Sequence, residues 1–275
     1  MIELDKRYRS SWDVRSIAHV VGIGHTTTAK ILRAARGPRP KPARPSHQRR
    51  TRFLRRDVMW SSDFTQMPDG RKLLKTLDEM SRYRLAWDMA PTETAHAVVE
   101  HARQLIERMG RRALIWKYDH GSAFTSQVFQ DFLAEMRIVP YAIPPRAPWA
   151  NGRTERDNKE VKNWLIPVER MQLTGDELER DVDDGMLMLN YVKPRSVLGF
   201  RSSASVYFEK PEIAEPDRER FFAELEAAKG EFDEPRGSER LHRKAVRILL
   251  QKWGLYEEWD GSENVNRLEA SCVAK

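Results

Sequence analysis

Residues 58–89 read VMWSSDFTQMPDGRKLLKTLDEMSRYRLAWDM, and their pattern decides the fold. Val58 to Met67, Lys72 to Leu77 and Tyr83 to Met89 are short runs with the alternation of half-buried strands, and Pro68-Asp69-Gly70 between the first two is a tight turn. Three strands joined so closely predict an antiparallel meander. The period then lengthens. Across residues 92–109, Ala95, Val98, Val99, Ala102, Ile106 and Met109 share one helical face, with Thr92 as the expected N-cap. Ala113 to Tyr118 is a short buried-type strand that ends at Asp119. Ser126 to Met136 is an amphipathic helix through Val128, Phe129, Phe132, Leu133 and Met136. Ile138 to Ile143 gives a last strand, which Pro140 assigns to a sheet edge because proline donates no ladder hydrogen bond. After the loop PPRAPWANG a helix is expected from Thr154 to Leu165. The expected class is α/β, a mixed sheet flanked by helices.

Upstream of this region the chain is unusually basic. Residues 1–56 hold fifteen Lys and Arg against three acids, whereas the remainder holds 33 against 38. A positive arm of this kind suits a polyanion, because binding it releases condensed counterions. Within the arm, Val14, Ile17, Ala18 and Val21 form one apolar stripe and Ala29, Ile31, Leu32 and Ala35 another, with Gly22-Ile23-Gly24 between them. Two short helices about a glycine turn read as a helix-turn-helix over residues 1–36, with Thr26, Thr27, Thr28 and Lys30 facing DNA. The alternative is a helical hairpin that packs on the core. Residues 37–56, GPRPKPARPSHQRRTRFLRR, carry four prolines and no acid and are expected to be an extended linker. Arg49, Arg50 and Arg52 there would track a phosphate backbone or enter a minor groove. His47 is given no role.

A length of 275 residues with 40% hydrophobic content supports one core with appendages. No run approaches the roughly eighteen apolar residues that cross a bilayer, and MIELDKRYRSSWDV has no secretory pattern. A cytoplasmic protein with no membrane contact is therefore expected. Cys272 is the sole cysteine, which excludes an internal disulfide and a multi-cysteine zinc site. The stretch 209–275 is charged and mainly helical by pattern, around Arg218 to Lys229 and Ser238 to Trp253. Trp253, Tyr256 and Trp259 are expected to dock on the core, the alternative being a second subunit.

With 41 acidic residues in the chain, a spacing between two of them says little by itself. Placement says more. Asp63 falls inside the first strand, Asp119 just past the fourth, and Glu155 at the start of the last helix. Three carboxylates gathered from distant positions repel one another unless cations neutralise them, and oxygen-only ligands favour Mg²⁺ or Mn²⁺ over zinc. Two such ions could sharpen an attacking oxygen and steady a leaving one in phosphoryl transfer.

The motifs WSSDFT around Asp63, the hairpin MPDGRKLLKTLDEMSRYRLAW, YDHGSAFTS around Asp119 and PWANGRTERDNKEVK around Glu155 resemble a bacterial insertion-sequence transposase with a retroviral-integrase-like DDE core. Asp119 and Glu155 have 35 residues between them, the integrase-type spacing, and Lys162 stands seven positions after the glutamate. The similarity runs from about Val58 to Phe208 and closes in LNYVKPRSVLGFRSSASVYFE, so 57–208 is the expected catalytic core and 209–275 its extension. The resemblance implies an RNase H-like fold, two divalent ions and transesterification without a covalent enzyme intermediate. Water would attack a phosphodiester at an element end, and the freed 3′ hydroxyl would then attack target DNA. Asp63, Asp119 and Glu155 would be the catalytic metal ligands, and Lys159 and Lys162 would hold double-stranded DNA beside them.

Two positions depart from the family pattern. His120 stands where relatives commonly carry Asn or Arg, and Lys193-Pro194-Arg195 where Arg-Pro-His is usual. Asp78, Asp88 and Asp157 are read as structural or solvated. Trp149, Asn151 and Gly152 are expected in a mobile loop that closes on DNA. Joining two ends calls for a homo-multimer on DNA. Two other readings stay open, an element-derived DNA-binding regulator without catalysis and a hydrolysis-only nuclease on the same fold.

Overall fold

The computed structural model describes residues 1–7, 12–36, 49–144, 152–165, 173–230 and 238–260. The chain divides into two compact units, each drawn from separate stretches. A sheet unit comprises Arg50–Thr154 and Tyr207–Trp259, and a helical unit comprises Met1–Arg49, Glu155–Val206 and Asp260–Lys275.

The helical unit begins with α1 (Ile2–Arg7), α2 (Val14–Val21) and α3 (His25–Arg36). Asp13 caps α2 by accepting from the backbone N–H groups of Arg15 and Ser16 at 2.9 and 3.0 Å. Gly22, at φ 70°, ends it in the left-handed conformation that glycine adopts without strain. Ile17, Ala18 and Leu32 are the buried apolar residues of the pair. Ile31 and Ala35, expected to share the apolar stripe of α3, are exposed, and Thr28 turns inward instead. The hydroxyl of Thr28 donates to Ile23 O at 3.5 Å.

The sheet unit opens, from Arg50, within β1 (Arg49–Phe53), which corrects the expectation of an extended linker through residue 56. The meander follows as β2 (Met59–Gln66), β3 (Lys72–Asp78) and β4 (Arg84–Ala90), antiparallel in sequence. Helix α4 (Ala95–Met109) then crosses over to β5 (Ile115–Tyr118), which runs parallel to β2. Thr94 rather than Thr92 caps α4, its hydroxyl accepting from Ala97 N at 3.2 Å, and this start sets Val98, Ala102, Leu105 and Ile106 inward. A one-turn helix, α5 (Ser122–Thr125), precedes α6 (Gln127–Glu135), which Ser126 caps. The next strand, β6 (Val139–Ala142), pairs parallel to β5. The order β4-β3-β2-β5-β6 makes β6 an edge strand, as Pro140 requires. Three antiparallel strands extended by two parallel ones, with crossover helices, is the RNase H-like arrangement.

Helix α7 (Gly152–Leu165) passes from the sheet unit into the helical unit after Thr154. Within the helical unit it is followed by α8 (Gly175–Leu187), a π-helical turn at Met188–Val192 and α9 (Ser203–Glu209), whose last residues belong to the sheet unit. The Trp164 indole donates to Asp181 O at 3.1 Å. A Cβ at Gly185 would lie 2.4 Å from that ring, so only glycine lets α8 come this close. The turn Lys193-Pro194-Arg195 also works within this unit. Lys193 Nζ and Arg195 Nη2 are buried against the Glu160 carboxylate at 3.0 and 3.1 Å, and Pro194 O accepts from the Ser16 hydroxyl.

Strand alternation sends Trp60, Leu74 and Trp116 to one face of the sheet, where α4 and α6 contribute Val98, Ala102, Leu105, Phe129 and Leu133. The other face carries Met59, Ile115 and Val139. It is covered by α10 (Glu215–Gly230) and α11 (Glu239–Lys252) through Phe221, Leu225, Ala245 and Leu249. Two buried layers explain why β3 is buried along nearly its whole length. A final strand, β7 (Tyr256–Asp260), pairs with β1. Trp253 docks edge-on against Phe221, ring centroids 5.6 Å apart, and Tyr256 packs on Phe53.

Candidate active site

In β2 and β5, Met59, Trp60 and Ser61 stand opposite Ile115, Trp116 and Lys117. Asp63 lies in β2 two residues past that register, and Asp119 follows directly after the last residue of β5. Alternation puts Asp63 on the face of Ser61 and Lys117, and Asp119 lies just beyond the strand. Each is partly exposed. Asp119 Oδ1 accepts from Gly121 N at 2.9 Å, and a Cβ on Gly121 would stand 3.0 Å from that same oxygen. Glycine here lets the backbone turn beneath the carboxylate without crowding it.

The same face carries charges of the opposite sign. Lys75 is the cross-strand partner of Asp63 and is buried. Lys117, two residues before Asp119, is buried in an ion pair with Glu79 Oε1. The second oxygen of Glu79, Oε2, lies 2.8 Å from Arg153 Nη1. Arg153 in turn donates through Nη2 to Thr51 O and, at 3.1 Å, to Thr51 Oγ1. Burial alone would push the Glu79 carboxyl up, but the Lys117 ammonium and Arg153 guanidinium outweigh it and hold Glu79 at about 2. Sequence reasoning did not single out Lys75, Glu79, Lys117 or Arg153. Two signals were available: Lys75 is a lone cation inside the apolar run of β3, and Lys117 stands two residues before Asp119.

Glu155 belongs to the helical unit. In α7, Thr154, Asp157, Val161 and Trp164 are buried, whereas Glu155, Arg156, Lys159 and Lys162 are exposed. Glu155, Lys159 and Lys162 follow at four and seven residues, so they share one exposed face of the helix, and Asp157 lies on another as expected. Among the described residues, no group of three or more His, Cys, Asp and Glu side chains stands close enough to hold a metal ion. Asp63 in β2 and Asp119 just past β5 belong to the sheet unit, and Glu155 belongs to the helical unit. The partly exposed carboxylates of Asp63 and Asp119 are oxygen-only donors, the chemistry that suits a hard divalent cation. His120 is exposed beside them. Trp149 and Asn151 lie outside the described residues, and Gly152 begins α7.

The expected DNA contacts divide in the same way. Thr26, Thr27 and Lys30 are exposed on α3. The side chains of Arg49 and Arg50 lie outside the described residues. Arg52 is engaged with Glu257 Oε2 at 2.6 Å across the β1–β7 pair. Among the described residues no helix is long and apolar enough to cross a membrane.

Residues 54–148 match the family model described as Integrase core domain. The Pol-related polyprotein of the mouse intracisternal A-particle MIA14 is 29% identical over 122 residues, which cover 43% of this chain and 14% of that polyprotein. The match thus takes in about a seventh of that relative's length. Among solved structures, a chain of the simian T-cell lymphotropic virus intasome in complex with PP2A regulatory subunit B56 gamma superposes with a TM-score of 0.53 at 20% identity, covering 72% of this chain and 73% of its own. The HTLV-2 integrase catalytic core in complex with magnesium has a TM-score of 0.47 at 22% identity, over 57% of this chain and 99% of that one. The BIV integrase catalytic core has a TM-score of 0.46 at 23% identity, over 56% and 95%. The intasome chain shares the fold, and the family match spans both Asp63 and Asp119.

Proposed function

We propose that this chain is a DNA transposase or integrase, which cuts a DNA end and joins it to a second DNA by direct transesterification. The observation that carries this reading is the match of residues 54–148 to an integrase core domain, a stretch that holds Asp63 in β2 and Asp119 just past the parallel neighbour β5. In the first step water attacks a phosphodiester and frees a 3′ hydroxyl. In the second, that hydroxyl attacks a target phosphodiester, forming one phosphate ester as another breaks. Asp63 and Asp119 would hold the cofactor, Mg²⁺ or Mn²⁺, with Glu155 as the third carboxylate. A pair of such ions supplies positive charge for the attacking and leaving oxygens. Lys159 and Lys162, exposed on the face of Glu155, would bind phosphates of the same DNA. Thr26, Thr27 and Lys30 on α3 would read or grip the element end, and Arg49 and Arg50 would follow its backbone. A bacterial insertion-sequence origin, a cytoplasmic location and a homo-multimer on DNA complete the reading.

The test uses purified protein, a DNA end from the sequence flanking its gene, and Mg²⁺ or Mn²⁺. Strand-transfer products should form and should vanish in Asp119→Asn, a loss of at least about a thousandfold. Cleavage without joining would assign a hydrolysis-only nuclease. Selective DNA binding without metal-dependent chemistry would assign a DNA-binding regulator.

A further inference from the structure

We infer that Glu79 is a positioning residue that ties together the chain segments leading to Asp63, Asp119 and Glu155. The inference rests on the functional reading above. Glu79 lies just past β3 and touches three elements through three different groups. Its backbone N–H donates to Met59 O at 2.9 Å, in β2, the strand of Asp63. Its Oε1 pairs with Lys117, two residues before Asp119 on β5. Its Oε2 accepts from Arg153 at 2.8 Å, in the first turn of α7 and two residues before Glu155. Arg153 is held in turn by Thr51 and lies over the Phe53 ring at 5.5 Å.

Cohesion alone does not account for this arrangement. Well-packed apolar side chains of similar volume usually stabilise a core as well as a buried ion pair does, because both charges must first leave water. Charges add direction. Each oxygen of Glu79 is committed to a different cation on a different element, so a shift of either element breaks one contact. Two residues then separate each contact from a carboxylate: the Lys117 contact holds β5 just before Asp119, and the Arg153 contact holds the first turn of α7 just before Glu155.

Removing Glu79 alone would strand two cations, so the decisive variant is the double substitution Glu79→Gln with Lys117→Met, which removes one charge of each sign and leaves the partly exposed Arg153 on its bonds to Thr51. It is compared with wild type by thermal melting, by Mn²⁺ binding followed through the EPR signal of free Mn²⁺, and by hydrogen exchange of segments 117–121 and 152–156. The expected result is a cooperative melt near that of wild type, Mn²⁺ binding weakened at least tenfold, and faster exchange in those two segments but not in β3. A lowered melting temperature with unchanged Mn²⁺ affinity and unchanged exchange would overturn the inference and leave Glu79 a stabilising residue only. Should wild type bind no Mn²⁺ and join no DNA, the functional reading fails, and exchange alone decides whether Glu79 fixes the two segments.

Discussion

Asp78 and Glu79 are neighbours in the chain and almost equally hidden, at 0% and 2% exposure, yet the protein treats them in opposite ways. Burial, and after it the charge of the nearby Asp57, pushes the Asp78 carboxyl up to about 7. Its oxygens take hydrogen bonds from Asp57 N, Ser81 N and the Ser81 hydroxyl at 3.0, 2.8 and 2.7 Å. Asp57 is itself bonded by the Tyr207 hydroxyl and the Trp60 indole, both at 2.8 Å. On the Glu79 side two cations reverse the balance. The lesson is that burial sets the cost of a charge, and the neighbours decide whether it is met. The Asp78 cluster is held mainly by hydrogen bonds, and the Glu79 cluster by ion pairs.

The contrast is broken most severely by removing one member of the ionic side. Glu79→Gln alone leaves Lys117 and Arg153 without their carboxylate and should cost about 3–5 kcal/mol in denaturant unfolding. A much smaller loss would mean that water already reaches the pair. Asp78 gives the next largest effect. Unfolded, its carboxyl titrates near 3.8, and folded near 7, so its contribution is complete below the first value and is lost as pH rises through the second. Stability should therefore fall by about 2 kcal/mol between pH 5 and 8 on this account. Asp78→Asn, which imitates the protonated acid, should flatten that slope in a melting series, and an unchanged slope would assign it to another group. The smallest effect belongs to an ion pair left in solvent. Arg52→Ala, which deletes the pair with Glu257, should change stability by less than about 1 kcal/mol, and less still at high salt. A larger loss would show that the β1–β7 pair is held by that contact.

Much of the fold was legible because its signals are local. The three strands of residues 58–89, the crossover helix and the edge position of β6 each follow from periodicity, a turn or a proline within a few residues. Thr94 replaced Thr92 as a cap because two threonines two residues apart satisfy the same sequence rule, and only the set of buried residues chooses between them. Strand β1 was hidden for a different reason. RRTRF reads as a basic linker, and its partner β7 lies some two hundred residues away, so no local pattern reports the pairing. The candidate site divides along the same line. Asp63 and Asp119 stand out in the sequence through strand ends and motifs, and they fall in β2 and directly after its parallel neighbour β5. Glu79 and Arg153 were not found, because a glutamate at a hairpin and an arginine at a helix start look solvated until distant elements close over them. Lys193 and Arg195 were noted as departures from a motif. Their burial against Glu160 assigns them to packing within the helical unit.

The covering of the sheet by α10 and α11 has a consequence for how the chain is made. Synthesis runs from the N-terminus, so β2 to β6 and the helices of the first face leave the ribosome well before residues 215–252 do. During that interval Met59, Ile115 and Val139 have no partner on their side of the sheet. The nascent chain therefore carries an uncovered apolar surface until its last helices arrive, and this is the period in which it is most exposed to aggregation.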